Sequence, residues 1–194
     1  MSFNDKVVIV TGASSGIGAA IAVAFSGLGA KVTVVGRDES RLNEVAKKCK
    51  NPLKIVADVT KEDDLKKIVN DTVKHFGKLD ILINNAGKAT PASILAENAI
   101  EVFDDVMTTN LRSAVYLTHL AAPHIIKTKG NIVNISSICG LSVLASNIFA
   151  YNTSKAALDH FTRSVAAELA SSGVRVNSVN PGPVKTNFIE NMGV

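Results

Sequence analysis

Short aliphatic and β-branched runs alternate along the chain with longer segments in which apolar residues recur every three or four positions. VVIV (7–10), KVTVV (31–35), LKIVA (53–57), LDILIN (79–84), NIVNIS (131–136) and VRVNSV (174–179) predict six buried strands. The amphipathic segments between them predict helices over about 16–28, 38–49, 61–76, 98–127 and 151–172. Strand-helix alternation of this kind implies parallel βαβ units with right-handed crossovers, and hence a twisted sheet covered on both faces. The expected fold class is therefore α/β, a doubly wound parallel sheet of Rossmann-like form. No linker, repeat or low-complexity tract divides the chain, so a single domain over 1–194 is expected.

Composition narrows this further. With 194 residues, 46% hydrophobic and 20% charged, the chain can bury a sizeable core. It has no Trp and few aromatics, which suits helices packed on a sheet better than an all-β sandwich. The net charge of +4 is spread over single Lys and Arg residues close to acidic ones, arguing against nucleic acid or an anionic membrane as partner. A modest positive balance suits an anionic small ligand. Cys49 and Cys139 have no metal-ligand spacing and make no disulfide framework, so no metal site and a reducing compartment are expected. The apolar run near the N-terminus is too short for a signal peptide, and no stretch reaches bilayer-spanning length. The cytoplasm is the expected location.

In doubly wound sheets ligands bind beyond the carboxyl ends of the strands, so the chemistry is sought there. TGASSGIG (11–18) follows the first strand. Gly12, Gly16 and Gly18 free the turn of Cβ atoms, so that the backbone of the loop, including Ser14, Ser15 and Ile17, can approach a pyrophosphate at a helix N-terminus. Its spacing is G-x-x-x-G-x-G rather than G-x-G-x-x-G, and a glycine turn without a ligand is the alternative. After the second strand, Gly36 stands where an acidic residue often holds the adenosine ribose, and Arg37 follows. Arg37 suits a 2′-phosphate, or else a solvated surface beside Asp38 and Glu39. Asp58 and Val59 end the third strand within reach of an adenine edge, although Asp58 also suits a cap for the helix starting near Lys61. Asn85, Ala86 and Gly87 follow the fourth strand as small residues against which a cofactor can lie. In YNTSK (151–155), Tyr151 and Lys155 stand four apart and share one face of a helix.

With TGASSGIG, DV, NNAG, SS-x-x-G and Y-x-x-x-K in this order, the sequence resembles the short-chain dehydrogenase/reductase family over nearly its whole length. The resemblance implies that Ser137 is the catalytic serine, that Tyr151 and Lys155 are the acid/base tyrosine and its lysine partner, and that Asn110 completes a proton relay. It also implies that Lys155 holds the nicotinamide ribose, and that NPGPVKT (180–186) holds the carboxamide through Pro181, Gly182, Val184 and Thr186. On this reading the Lys155 ammonium, together with the positive charge of the oxidised nicotinamide, lowers the Tyr151 pKa, Ser137 steadies the substrate oxygen, and Asn110 holds a water that links Lys155 to solvent. Gly36 and Arg37 favour NADP(H) over NAD(H). The long helices around 98–127 and 151–172 carry Val115, Leu120, Leu158, Phe161, Val165 and Leu169, and the resemblance implies that they pair in a homodimer or homotetramer.

The family pattern continues past PGPVKTNFIENMGV into substrate-covering helices and a seventh strand. A trimmed or unresolved C-terminus is expected rather than a naturally short form. Residues 88–98 and 138–150 supply part of the substrate wall, and their apolar content suits an apolar carbonyl or secondary alcohol: an oxoacyl thioester, a steroid or isoprenoid ketone, or a small dicarbonyl. The competing reading is a non-catalytic NADP(H)-binding module or redox sensor. Epimerase or dehydratase chemistry on the same scaffold is a third.

Overall fold

A computed structural model describes residues 2–186 and 188, and in them strands and helices alternate in the predicted order. The strands are β1 (Val7–Val10), β2 (Lys31–Gly36), β3 (Leu53–Val56), β4 (Ile81–Asn84), β5 (Asn131–Ile135) and β6 (Arg175–Val179). They form one parallel sheet in the order β3-β2-β1-β4-β5-β6. The helices are α1 (Gly16–Gly27), α2 (Glu39–Ala46), α3 (Glu62–Phe76), α4 (Ala99–Met107), α5 (Ser113–Thr128) and α6 (Phe149–Leu169). Side chains alternate across a strand, and β1 feeds both layers: Val7 and Ile9 join the core under α3, α5 and α6, while Val8 and Val10 join the core under α1 and α2. The winding reverses between β1 and β4, and doubly wound sheets form their ligand crevice at this point.

Local chemistry sets the element ends. The first turn of α3 carries Glu62, Asp63 and Asp64 and its last turn Lys74 and His75, each sign opposite to the helix dipole at that end. Gly77 at φ 81° then stops the helix in the left-handed conformation that glycine adopts without steric cost. The single helix predicted over 98–127 is α4 and α5 joined by a π-helical stretch, Thr108–Arg112, which carries Asn110. Such bulges shift helix register by inserting a residue and recur at functional sites. The helix predicted from 151 begins at Phe149, which places Tyr151 in its first turn.

The apolar positions expected to drive self-association are mostly absorbed by the sheet. Leu158 is buried, and Leu120, Val165 and Leu169 pack on the larger core, leaving Phe161 half-buried and Val115 exposed. Among the described residues no helix is long and apolar enough to cross a membrane. The expected substrate-covering helices and seventh strand lie outside the described residues.

At the end of the sheet opposite the crevice, Asp80 is 2% exposed and accepts the Val7 amide at 2.9 Å and the ammonium groups of Lys6 (3.0 Å) and Lys78 (3.1 Å). Burial pushes its pKa up, but the amide and the two lysines outweigh burial and hold it below the ordinary carboxylate value. Both lysines are partly exposed, so most of the stabilisation comes from the amide bond to β1. Asp80→Asn is expected to cost roughly 1.5–3 kcal/mol, the range for hydrogen bonds to charged groups, read from denaturant midpoints at neutral pH. A carboxyl with a depressed folded pKa contributes stability above its unfolded pKa and loses it as pH falls through the folded value. The gap between parent and variant should therefore close in acid, and a gap independent of pH would contradict this account.

Candidate active site

The crevice begins where β1 and β4 are tied together. The Thr11 hydroxyl accepts the amides of Asn85 and Ala86, both at 3.0 Å, and donates to the Ile83 carbonyl at 3.3 Å. The Asn85 side chain donates to the carbonyls of Thr11 (2.8 Å) and Gly12 (3.2 Å). So close an approach leaves no room for side chains: a Cβ on Gly18 would lie 2.4 Å from both the Asn85 amide nitrogen and the Gly12 oxygen. Gly18 thus packs the turn rather than lining the cleft. Gly12 turns at φ 62°, in the left-handed region.

Arg37 and Asp58 face the cleft from the ends of β2 and β3. The Asp58 carboxylate accepts the amide (2.9 Å) and hydroxyl (2.8 Å) of Thr60. Burial raises its pKa, but those bonds and the charges of Arg37 and Lys61 outweigh burial and leave it below the ordinary value. Asp58 does not cap α3, whose N-cap is Lys61. A Cβ on Gly36 would stand 3.1 Å from the Ser14 Cβ and 3.2 Å from its hydroxyl, so the glycine loop closes over the end of β2.

At the other end of the cleft, α6 delivers Tyr151 and Lys155 one turn apart, 9% and 4% exposed. The Lys155 ammonium donates to the Ile135 carbonyl at 2.7 Å, at the end of β5, and lies 5.7 Å from the centre of the Tyr151 ring. Asn110 and Lys155 converge behind Gly87, where a Cβ would lie 3.4 Å from the Asn110 side-chain oxygen and 3.6 Å from the Lys155 nitrogen. The Asn110 amide uses both of its donors and one lone pair of its oxygen. It accepts the Lys88 N–H (2.8 Å) and donates to the Lys88 carbonyl (2.8 Å) and the Ser154 hydroxyl (3.0 Å). Ser137 heads a short 3₁₀ turn, and its Oγ accepts the Cys139 amide at 3.1 Å, which leaves its own proton available for donation.

In the protein alone the tyrosine's acidity is set first by burial, which pushes its pKa above the ordinary phenol value, with the Ser137 hydroxyl working in the opposite direction. The Lys155 charge is directed at the Ile135 carbonyl rather than at the phenol oxygen.

One cleft of about 650 Å³ joins both ends. Of the residues expected at the site, Gly12, Ser14, Ser15, Gly16, Ile17, Arg37, Asp58, Val59, Asn85, Ala86 and Gly87 line it with Ser137, Tyr151 and Lys155. Pro181, Gly182, Val184 and Thr186 form its lip, with Thr186 packed so closely on the glycine turn that a Cβ on Gly16 would lie 3.2 Å from it. Gly18 and Asn110 stand behind the wall. The structure adds Lys88, whose backbone grips Asn110, Ile148 and Phe188 packed against Tyr151, and Leu144 on the cleft wall. Leu144 and Ile148 belong to a segment whose apolar composition had marked it as wall. The Lys88 role runs through main-chain atoms and leaves no trace in residue type.

A family model described as short chain dehydrogenase matches residues 6–193. An uncharacterized oxidoreductase of Staphylococcus epidermidis is 38% identical over 188 residues, covering 96% of this chain and 81% of the relative. L-fucose dehydrogenase of Rattus norvegicus is 40% identical, covering 95% and 68%. Among solved structures, a short-chain dehydrogenase/reductase of unknown function from Caenorhabditis elegans, determined with cofactor, superposes with a TM-score of 0.94 at 40% identity, covering 99% of this chain and 74% of that one.

The cleft geometry makes a titration prediction independent of any substrate. Burial pushes the Lys155 ammonium down to about 8, with Asp159 opposing the shift. An NMR titration of ¹³C-labelled lysine should contain a transition near pH 8 that is missing from Lys155→Met. Between that value and the unfolded value of about 10.4 the unfolded chain binds more protons at this site, so its contribution to stability becomes less unfavourable as pH rises through the window. A Lys155 midpoint at the ordinary lysine value would contradict the burial described.

Proposed function

The chain belongs to the short-chain dehydrogenase family, and from that premise we propose that it interconverts a carbonyl compound and a secondary alcohol using NADP(H), with Tyr151 as the acid/base. The observation that carries this reading is the convergence of Tyr151, Lys155 and Ser137 at one end of a cleft whose other end is a glycine turn at the β1–β4 switch point. The residues present fit a dinucleotide: the loop 12–18 offers backbone amides to a pyrophosphate, Asn85 to Gly87 give a flat surface, and the lip 181–186 covers the reacting end. Bound there, the nicotinamide supplies the hydride in reduction and takes it up in oxidation.

Ser137 holds the substrate oxygen through the proton that its own hydrogen bonding leaves free. Tyr151, kept protonated at neutral pH by burial, gives its proton from Oη to that oxygen as the carbon–hydrogen bond forms. The Lys155 ammonium, 5.7 Å from the centre of the Tyr151 ring, stabilises the phenolate left behind through its positive charge and without a direct bond. In oxidation each proton movement runs in reverse. Asn110 fixes Lys88 and Gly87 beside Lys155, and the remaining lone pair of its side-chain oxygen can accept a hydrogen bond from a water that links Lys155 to solvent. The apolar side chains of Ile148 and Phe188 next to Tyr151, with Leu144 on the same cleft wall, favour an apolar substrate.

The preference for NADP(H) rests on Arg37 and Gly36. An Asp at 36, which would accept bonds from the ribose hydroxyls and repel a 2′-phosphate, has no room unless Ser14 moves. Arg37 faces the cleft, and the Ser14 hydroxyl adds a donor near the same point. A charge-assisted contact is worth roughly 1.5–3 kcal/mol, and because Arg37 is exposed the lower end applies, about a tenfold preference.

Two measurements test these readings. Tyr151→Phe should lower kcat by about 10²- to 10⁴-fold, the usual worth of a positioned acid/base, while cofactor titration by fluorescence stays nearly unchanged. A variant that keeps most of its rate contradicts the assignment. The ratio of kcat/KM for NADPH to that for NADH should favour NADPH in the parent and shrink in both Arg37→Ala and Gly36→Asp. Preference for NADH, or no response to Arg37→Ala, overturns the cofactor reading.

A further inference from the structure

Asp159 takes no part in the chemistry above, yet it is a carboxylate only 4% exposed, on the face of α6 that carries Tyr151 and Lys155, one turn beyond the lysine. Its Oδ2 accepts the side-chain amide of Asn180 at 2.8 Å, and the same nitrogen donates to the Ser137 carbonyl at 3.1 Å. The Ser137 carbonyl also accepts the Gly140 amide at 3.0 Å, while the Ile138 amide donates to the Pro181 carbonyl at 3.1 Å. Residue 140 has to be glycine for this: a Cβ there would lie 2.7 Å from Asp159 Oδ2 and 2.9–3.0 Å from the carbonyl carbon and oxygen of Lys155. Three separate segments, the Ser137 turn, helix α6 and the start of the 180–186 lip, therefore meet at one side-chain amide.

We propose that Asp159 and Asn180 form a latch that positions Ser137 and the lip against α6, so that both are positioning residues for the reaction. A carboxylate can only accept. It therefore fixes the orientation of the Asn180 amide, with the NH₂ group toward both Oδ2 and the Ser137 carbonyl, and the oxygen toward the Ser178 hydroxyl at 3.2 Å. The Ser137 carbonyl, which also only accepts, selects the same orientation, so an amide at position 159 would keep it and lose the charge-assisted strength of the bond. The carboxylate also places a negative charge within a turn of Lys155, where it opposes the effect of burial on the ammonium. The titratable groups facing Lys155 are Tyr151 and Asp159 on its own helix, with Cys139 packed beside Tyr151; β5 and the π-helical stretch offer the Ile135 carbonyl and the Asn110 amide, which carry no charge.

The inference rests on Ser137 and Lys155 being working residues, but its test needs no substrate, so the two readings fail separately. Hydrogen exchange at the amides of Ile138, Cys139 and Gly140 and the NMR midpoint of Lys155 are compared in the parent, Asp159→Asn and Asn180→Ala. Asp159→Asn should speed exchange about tenfold or more, the loss of one charge-assisted hydrogen bond, and lower the Lys155 midpoint by about one unit. Asn180→Ala should speed exchange to a similar extent but leave the Lys155 midpoint in place, since the carboxylate stays. A residue serving packing alone would not separate the two readouts in this way. Unchanged exchange in Asn180→Ala overturns the latch, also where Asp159→Asn does not fold, and an unmoved Lys155 midpoint in a folded Asp159→Asn overturns the electrostatic part.

Discussion

A buried ammonium is expensive to desolvate, and the reacting end of this protein is organised around satisfying one. Lys155 has left water almost entirely and donates to the Ile135 carbonyl at 2.7 Å, at the end of β5. That bond ties α6 to the sheet at a fixed height. Tyr151, one turn earlier, is thereby held at the cleft floor, and Asp159, one turn later, is held under the Ser137 turn. The π-helical stretch brings Asn110 to the other side of the lysine, and Gly87 leaves the space in which the two meet. Any repositioning of the lysine would leave a charge unpaired in the interior, which costs more than the movement of a surface side chain.

The other end of the cleft depends on close backbone approach instead of charge. Thr11 uses one hydroxyl to join two amides and a carbonyl across β1 and β4, and Asn85 closes the same junction from the opposite side. Because the sheet winds in opposite directions from this junction, α1 and the lip 181–186 approach each other across it, with Thr186 touching the glycine turn. The side-chain-poor end is thus fixed by β1 and β4, and the titratable end by β5 and α6. Sheet and site are not separable features here, since the strand ends that complete the ladder are those that carry the chemistry.

Much of this was legible in the sequence. Six aliphatic runs gave their strands to within a residue or two, but burial was expected of all six and holds for the inner β1, β4 and, beyond Lys31, β2. The edge strands β3 and β6 leave Val56, Arg175, Asn177 and Val179 exposed, because an edge strand has a neighbour on one side only. Spacing placed Tyr151 and Lys155 on one helix face, and the resemblance to the family placed Ser137 with them. Other features depend on atoms that residue type does not report. The π-helical stretch at Thr108–Arg112 is a change in backbone pairing within a pattern that reads as one helix. Asn110 is held by main-chain atoms of Lys88, for which any residue would serve. The raised pKa of Tyr151 follows from burial outweighing its neighbours, a balance that requires the packed structure. Asp159 and Asn180 are 21 residues apart and look like ordinary polar positions until the fold brings them together.

The central claim is that this cleft moves a hydride to a carbonyl carbon, with the proton supplied from α6. Tracing the hydride itself tests it most directly: NADPH carrying deuterium at the nicotinamide C4 is incubated with the protein and a panel of apolar ketones and dicarbonyls, and the alcohols formed are weighed by mass spectrometry. The account predicts alcohol carrying one deuterium on the former carbonyl carbon. Saturable binding of the cofactor with no labelled alcohol from any member of the panel would contradict it and leave a protein that binds the dinucleotide without turning it over.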